Sequence, residues 1–476
     1  MNARLHGNLR NDFRLLINGE LVAGAATFDV LDPATERVLA ASPRADTAQL
    51  NAAVAAAKTA FPAWCVTPIE DRRMLLLKLA DALAARGEGF ARLLTQEQGK
   101  PIAHALAEIA GAVDRIRTFA AMDLPVKLLR ETERSRIIEH RMPLGVVAAI
   151  TPWNFPIAIL TNKVAPALLA GNTVVAKPAP TTPLTTLLFG ELCAAVLPPG
   201  VVNIIADVND LGPALTSHVD VAKVTFTGST ATGKKVLASI AKTLKRSTLE
   251  LGGNDAAIVL DDANVVEVAP RIFFGAMVNT GQVCLAIKRV YAHDSIYDRL
   301  CEELARIADR AVVGNGLDPK TEFGPLQNRT QFERVKGLIA DARRVGTIVA
   351  GGQASEGPGY FVRPTIVRDI GDDTRLVREE QFGPILPVLR YSDLGDAIAR
   401  VNNSEYGLGG SVWSSDPYRA YLVATRLYSG TVWVNTHLDC PPDIPYGGAK
   451  QSGLGKELGR EGLEEFTQCK IVNVAL

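Results

Sequence analysis

From residue 145 onward, short β-branched runs alternate with helical stretches. GVVAAI, NTVVAK, VVNII and KVTFT are separated by segments of helical pattern at 157–169, 183–196 and 231–242. Runs that are apolar on both faces must bury both faces, which a parallel sheet covered by helices on each side permits. The alternation therefore predicts an α/β protein with a parallel sheet. A second α/β series begins after Gly252-Gly253 and runs to about residue 446. Ahead of the first sheet, helical patterns lie near 47–61, 68–86 and 102–121, with Gly87 as the stop of the middle one. The segment LLI-NG-ELV around Asn18-Gly19 predicts a two-residue hairpin. The closing stretch GREGLEEFTQCKIVNVAL ends in an alternating apolar run, expected as an unpaired strand open to sheet addition by another subunit.

Charge and cysteine usage exclude several functions. Fifty-one basic and fifty-one acidic residues give a net charge of zero over 476 residues. Binding to nucleic acid by phosphate neutralisation needs a basic excess, so no nucleic-acid partner is expected. The six cysteines lie far apart with no C-x-x-C pair and no Cys/His cluster, which argues against a metal site and a disulfide framework. The N-terminal MNARLHGNLRNDFRLLINGE has no apolar core of a secretory leader, and a reducing, cytoplasmic location is expected. The uncharged stretch Pro143–Asn162 is long enough to raise a membrane span, yet it holds three prolines, Trp153 and Asn154. It reads as a buried strand, a turn and a helix start, with no membrane partner.

Gly228-Ser229-Thr-Ala-Thr-Gly233-Lys234-Lys235 follows a strand and opens a helix, one residue short of a P-loop. Lys235 stands where a hydroxyl should meet Mg²⁺, so an NTPase is disfavoured, although a glycine turn at a helix start can still hold a phosphate. No G-x-G-x-x-G follows a predicted strand. Cys284 lies in the polar loop NTGQVC; alone, such a cysteine reads as a small buried hydrophobe. Glu250 closes an apolar strand, where burial should raise its pKa into the range of a general base. Asn154, in TPWNFP, is a neutral amide able to donate to an oxyanion. Glu380 and Phe382 lie in EEQFGP beside a glycine turn.

Taken in order, TPWNFP (151–156), VVAKP (174–178), FTGSTATG (226–233), LELGG (249–253), GQVC (281–284), EEQFGP (379–384) and PYGGAKQSGLGKELG (445–459) resemble the aldehyde dehydrogenase superfamily over nearly the whole chain. The resemblance implies a variant Rossmann cofactor domain lacking the usual glycine fingerprint, an α/β catalytic domain and a β-strand oligomerisation arm. The corresponding boundaries are 1–123 and 145–252 for the cofactor domain, 253–446 for the catalytic domain, and 124–144 with 447–476 for the arm and tail. It implies a homodimer or homotetramer acting on a small aldehyde. Cys284 would be the nucleophile, Glu250 the base that activates water, and Asn154 with the Cys284 backbone N–H the oxyanion donors. Lys177 would meet the adenine ribose, Gly228, Ser229 and Gly233 the pyrophosphate turn, and Glu380 the nicotinamide ribose, with Phe382 and Trp153 beside it.

Two positions depart from common members of the family. Pro180 takes the place, three residues after Lys177, where many NAD-using members carry Glu, implying tolerance of NAD and NADP with NAD favoured. Asn162 stands where members specific for succinate semialdehyde often carry Arg. The expected pocket wall of Phe155, Ile159, Asn162, Leu285, Cys440 and Tyr446 suits an uncharged aliphatic or aromatic aldehyde. His437 is expected as a satisfied histidine at the surface or pocket rim. Two other activities use the same cysteine: transfer of the acyl group to coenzyme A, which the presence of Glu250 disfavours, and a thiol hydrolase without nicotinamide, which ordinarily needs a Cys–His pair.

Overall fold

The computed structural model describes residues 12–476. The first eleven residues, on which part of the expectation about a leader rested, lie outside them. Two large sheets organise the chain. The first has eight strands, in the order 20–22, 15–17, 202–204, 173–177, 146–150, 221–227, 246–250 and 453–454. The five between 202–204 and 246–250 are parallel, and only the outer strands run antiparallel. Val146–Ile150 and Thr173–Lys177 are buried along their whole length, which is why their sequences do not alternate. The helices Pro156–Leu169, Leu184–Val196 and Thr230–Ala241 fall within a residue of their sequence patterns.

The second sheet has seven strands, in the order 347–350, 365–368, 385–391, 287–293, 255–259, 409–413 and 431–434, all parallel except the first. The N-terminal hairpin forms as the NG pair requires, with Asn18 and Gly19 both at positive φ (53° and 80°) and Ile17 opposite Glu20. The stretch Pro143–Asn162 folds as strand, turn and helix start, and no described helix is long and apolar enough to cross a membrane.

One expectation needs correction. The terminal run is not unpaired: Thr467–Ala475 pairs antiparallel with Ser135–Pro143 along nine residues, completing a three-stranded sheet with Lys127–Glu131. Alternation identified the strand but could not see a partner more than 300 residues earlier in sequence. The tail also does more than form an arm, because Gly453–Leu454 first pairs with the Glu250 strand at the edge of the large sheet. The middle helix, Ile69–Ala85, ends just before Gly87 as the sequence predicts, and a further helix, Gly87–Gln98, follows directly, its Phe90, Leu93 and Leu94 buried.

Candidate active site

In sequence order the five parallel strands of the first sheet run 3-2-1-4-5, so the order reverses between Val146–Ile150 and Val221–Thr227. Open α/β sheets bind ligands in the crevice beyond the strand C-termini at such a reversal. Four strand ends there carry predicted residues. Ile150 leads into Trp153-Asn154, Lys177 ends its own strand, Thr227 leads into Gly228-Ser229, and Glu250 ends the last parallel strand.

Cys284 comes from the other half of the chain, in the loop between the helix Val265–Met277 and the strand Ile287–His293. That loop is strained: Asn279, Thr280 and Gly281 all have positive φ. For a β-branched threonine this is a costly conformation, held only when its surroundings over-determine it. They do. Asn279 Nδ2 donates to the Asn154 carbonyl (3.2 Å), Thr280 Oγ1 to the Gly324 carbonyl (3.0 Å), and Gln282 Oε1 accepts from Gln327 N–H (2.8 Å). Lys288 Nζ donates to the Cys284 carbonyl (2.6 Å). A Cβ on Gly253 would sit 2.6 Å from that same oxygen, so only glycine lets the two halves close here. The Cys284 N–H has no protein acceptor among the described residues. Asn154 Nδ2 donates to the Gln282 carbonyl (3.1 Å), which fixes the amide beside the cysteine and leaves its second N–H.

Glu250 is 4% exposed and its pKa is pushed up to about 8, first by burial and then by the nearby Glu457 carboxylate. Glu457 pairs with buried Lys163 (2.6 Å). Burial, with Glu250 next, also raises the Cys284 thiol well above its ordinary range, and Lys288 opposes the rise. The thiol is therefore protonated near neutrality and depends on a base. Tyr446 links the two groups: its hydroxyl donates to Glu250 Oε1 (2.8 Å) and lies 4.0 Å from Cys284 Sγ. This bond lowers the Glu250 pKa against the effect of burial. Tyr446→Phe is expected to move the acid limb of the kcat/KM profile upward from about 8, by about one unit. An unchanged profile would remove Tyr446 from the network.

The remaining predicted residues follow these strand ends or touch segments that follow them. Lys177 Nζ pairs with Asp207 (2.6 Å) and reaches Asn209 Oδ1 (3.3 Å); Pro180 is half-buried just beyond. Ser229 caps the helix Thr230–Ala241 by accepting from Thr232 N–H (3.3 Å), and it is exposed. Gly233 is buried, where a Cβ would meet Leu251 at 2.4 Å, so its part is to let the helix approach the strand end. At Gly228 a Cβ would meet the Phe226 ring at 2.6 Å. Glu380 Oε1 accepts from Gly253 N–H (3.0 Å) and lies 3.8 Å from Lys288. Phe382, at φ 47°, sets its ring edge-on against Trp153 at 5.3 Å.

Of the expected pocket wall, Leu285 and Tyr446 are buried in one apolar cluster, with Phe155, Cys284 and Cys440 packed on it. Ile159 and Asn162 lie on the neighbouring helix at the spacing that puts them on the face of Phe155. His437 is not on the rim. It is buried, its Nε2 bonds the Leu285 carbonyl (2.7 Å), and burial lowers its pKa to about 3, so it stays neutral.

Sequence reading missed the buried charges that hold these parts. Lys100 Nζ pairs with Glu108, donates to the Asn154 carbonyl (2.8 Å) and sits 3.8 Å over the Phe155 ring. Glu108 Oε1 in turn accepts from Ile157 and Ala158 N–H (3.1 and 3.2 Å), anchoring the helix start. The available signal was a carboxylate on the apolar face of IAHALAEIAGAV, where Ala105, Ile109 and Ala112 are core.

Residues 21–472 match the model of the aldehyde dehydrogenase family. The chain is 41% identical over 475 residues to a mitochondrial aldehyde dehydrogenase of Leishmania tarentolae, covering 97% of this chain and 95% of that one. It is 37% identical over 469 residues to the NADP+ succinate-semialdehyde dehydrogenase of Escherichia coli, covering 97% of each. The solved NAD+ complex of an aldehyde dehydrogenase from Bacillus cereus superposes with a TM-score of 0.96 at 37% identity, over 98% of this chain and 97% of that chain.

Proposed function

The chain belongs to the aldehyde dehydrogenase family, and from that premise we propose how its own residues oxidise an aldehyde to the carboxylic acid with NAD or NADP. The observation that supports the assignment most is the meeting of Cys284, Glu250 and Asn154, brought from three separate segments to the sheet reversal.

The crevice residues fit a nicotinamide dinucleotide. The exposed helix start at Ser229 offers backbone N–H groups and a positive dipole end to a pyrophosphate. Lys177 and Glu380 would serve its two riboses, with Trp153 and Phe382 between. When bound, the nicotinamide supplies a hydride acceptor. Cys284 Sγ attacks the aldehyde carbon as its proton passes to Glu250. The oxyanion so formed takes hydrogen bonds from Asn154 Nδ2 and the Cys284 N–H. Oxidation at that carbon leaves an acyl thioester on Sγ. Glu250 gives up that first proton to solvent and takes one from water, the hydroxide attacks the thioester carbon, the C–S bond breaks, the departing Sγ takes the proton from Glu250, and the acid leaves.

A thiol hydrolase is disfavoured because the buried imidazole of His437 is bonded to the Leu285 carbonyl and not to Cys284. Transfer to coenzyme A would leave Glu250 without its second task, the activation of water. Formation of reduced cofactor from simple aldehydes, with NAD and NADP and with and without coenzyme A, tests the reading. Turnover in the absence of coenzyme A is the expected result, and turnover only in its presence overturns the hydrolytic step. Pro180 offers no carboxylate to repel a 2′-phosphate, so both cofactors should serve, NAD the better. Asn154→Ala is expected to lower kcat by about 10²–10³-fold, and a loss under tenfold would take Asn154 out of the oxyanion site.

The two sheets support a cofactor domain at 1–123 and 145–252 and a catalytic domain at 253–446. The three-stranded sheet built from 124–144 and 447–476 ends on the C-terminal strand, and an edge of that kind supports assembly into a homodimer or homotetramer. Six free thiols among the described residues support a reducing, cytoplasmic setting.

A further inference from the structure

The helix Ile102–Ala121 packs along the helix Pro156–Leu169, and Glu108, Gly111 and Arg115 are spaced on it to share one face. Glu108 bonds the start of the second helix, so this face looks toward it. Arg115 folds its guanidinium back over Gly111: a Cβ at 111 would lie 2.6 Å from Nη1. Glycine in a helix interior costs about 1 kcal/mol relative to alanine, and here it makes room for a cation.

That cation is unmatched. Among the described residues Arg115 makes no ion pair, and its buried Nε has no hydrogen-bond partner. The groups bearing on it electrostatically are Glu108, Cys440, Asp114 and Glu457, and burial lowers its pKa. Glu108 is already paired with Lys100 and Glu457 with Lys163, while Asp114 is exposed. One positive charge is left over beside Cys440. Cys440 in turn bears on Tyr446, which stands against Cys284 and Glu250. On the helix packed against this one, Asn162 has a buried amide oxygen with no partner, and an amide can present either end to a ligand. Arg115 is half-buried, and a guanidinium whose inner N–H is sealed from water without an acceptor is unfavourable in the free protein and complementary to an anion.

We propose that Arg115 is the anion anchor of the aldehyde site, with Asn162 beside it, so that the substrate is an aldehyde carrying a carboxylate at the end remote from the reacting carbon. The inference rests on the oxidation described above, and it replaces the uncharged substrate expected from the apolar wall. A planar guanidinium suits a carboxylate because it can offer two parallel N–H donors.

The test compares full-length wild type with Arg115→Met and Arg115→Lys. The substrates are ω-carboxy aldehydes of four to six carbons and the neutral straight-chain aldehydes of equal length. Wild type is expected to favour the carboxylated member by on the order of 10²-fold in kcat/KM. Arg115→Met should abolish that preference mainly through KM, leave neutral aldehydes within about threefold, and melt no lower than wild type; Arg115→Lys should keep part of it. Equal use of both series by wild type, or equal loss of both in the Met variant, overturns the proposal. Calorimetry on Cys284→Ala separates this from the oxidation itself. If glutarate binds no tighter than pentanoate, the anchor is refuted whether or not aldehydes turn over. If glutarate binds more tightly and only with Arg115 present, the anchor stands even where no aldehyde is oxidised.

Discussion

Replacing Cys284 by alanine should lower kcat by at least about 10⁴-fold while leaving NAD and NADP binding intact. The size follows from what is lost, because without Sγ there is no covalent intermediate and water must attack the aldehyde directly. Binding is spared because Lys177, Ser229 and Glu380 are held by partners other than the cysteine side chain: Asp207, the helix start and Gly253 N–H. The loop should also keep its shape, since Asn279, Thr280 and Gln282 fix it through their own bonds. Turnover within tenfold of wild type, with cofactor binding unchanged, would remove Cys284 from the chemistry.

Glu250→Gln should lower kcat at high pH by about 10²–10⁴-fold and erase the acid limb of the pH profile. With a pKa of about 8, the Glu250 carboxylate is only about one-tenth formed at pH 7. Wild-type activity should therefore rise with pH through about 8 and then level. Stability should run the other way. The folded carboxyl holds its proton from pH 4.5 up to about 8 while the unfolded one has lost it, so wild type loses stability across that window. The glutamine variant is spared that loss and should gain on wild type as pH rises. A variant that kept the acid limb would show that another group titrates there.

Much of this was readable because the local physics pointed one way. Buried parallel strands leave continuous β-branched runs, and the NG pair allows few alternatives to a tight hairpin. The strand-ending positions of Lys177 and Glu250 followed from those runs. What sequence could not reach was set by long-range packing. The pairing of the C-terminal strand with 135–143 depends on where the chain returns. Lys100, Glu108, Lys163 and Glu457 look like ordinary charges in helices and loops until their partners, up to 294 residues away, are in place. Arg115 was hidden for the same reason, because its meaning lies in the partners it lacks. His437 was misplaced because one polar residue in VNTHLD carries no sign of its burial.

The central claim is an acyl thioester on Cys284 that needs Glu250 for its release. Peptide mass spectrometry of the Glu250→Gln enzyme, quenched during turnover with an aldehyde and cofactor, tests it most directly. Glutamine slows both acylation and release, and release is expected to be slowed the more, so the Cys284 peptide should carry the mass of the acyl group, absent from Cys440 and from enzyme without cofactor. An unmodified Cys284 in an enzyme still turning over, or the adduct on another cysteine, would contradict it.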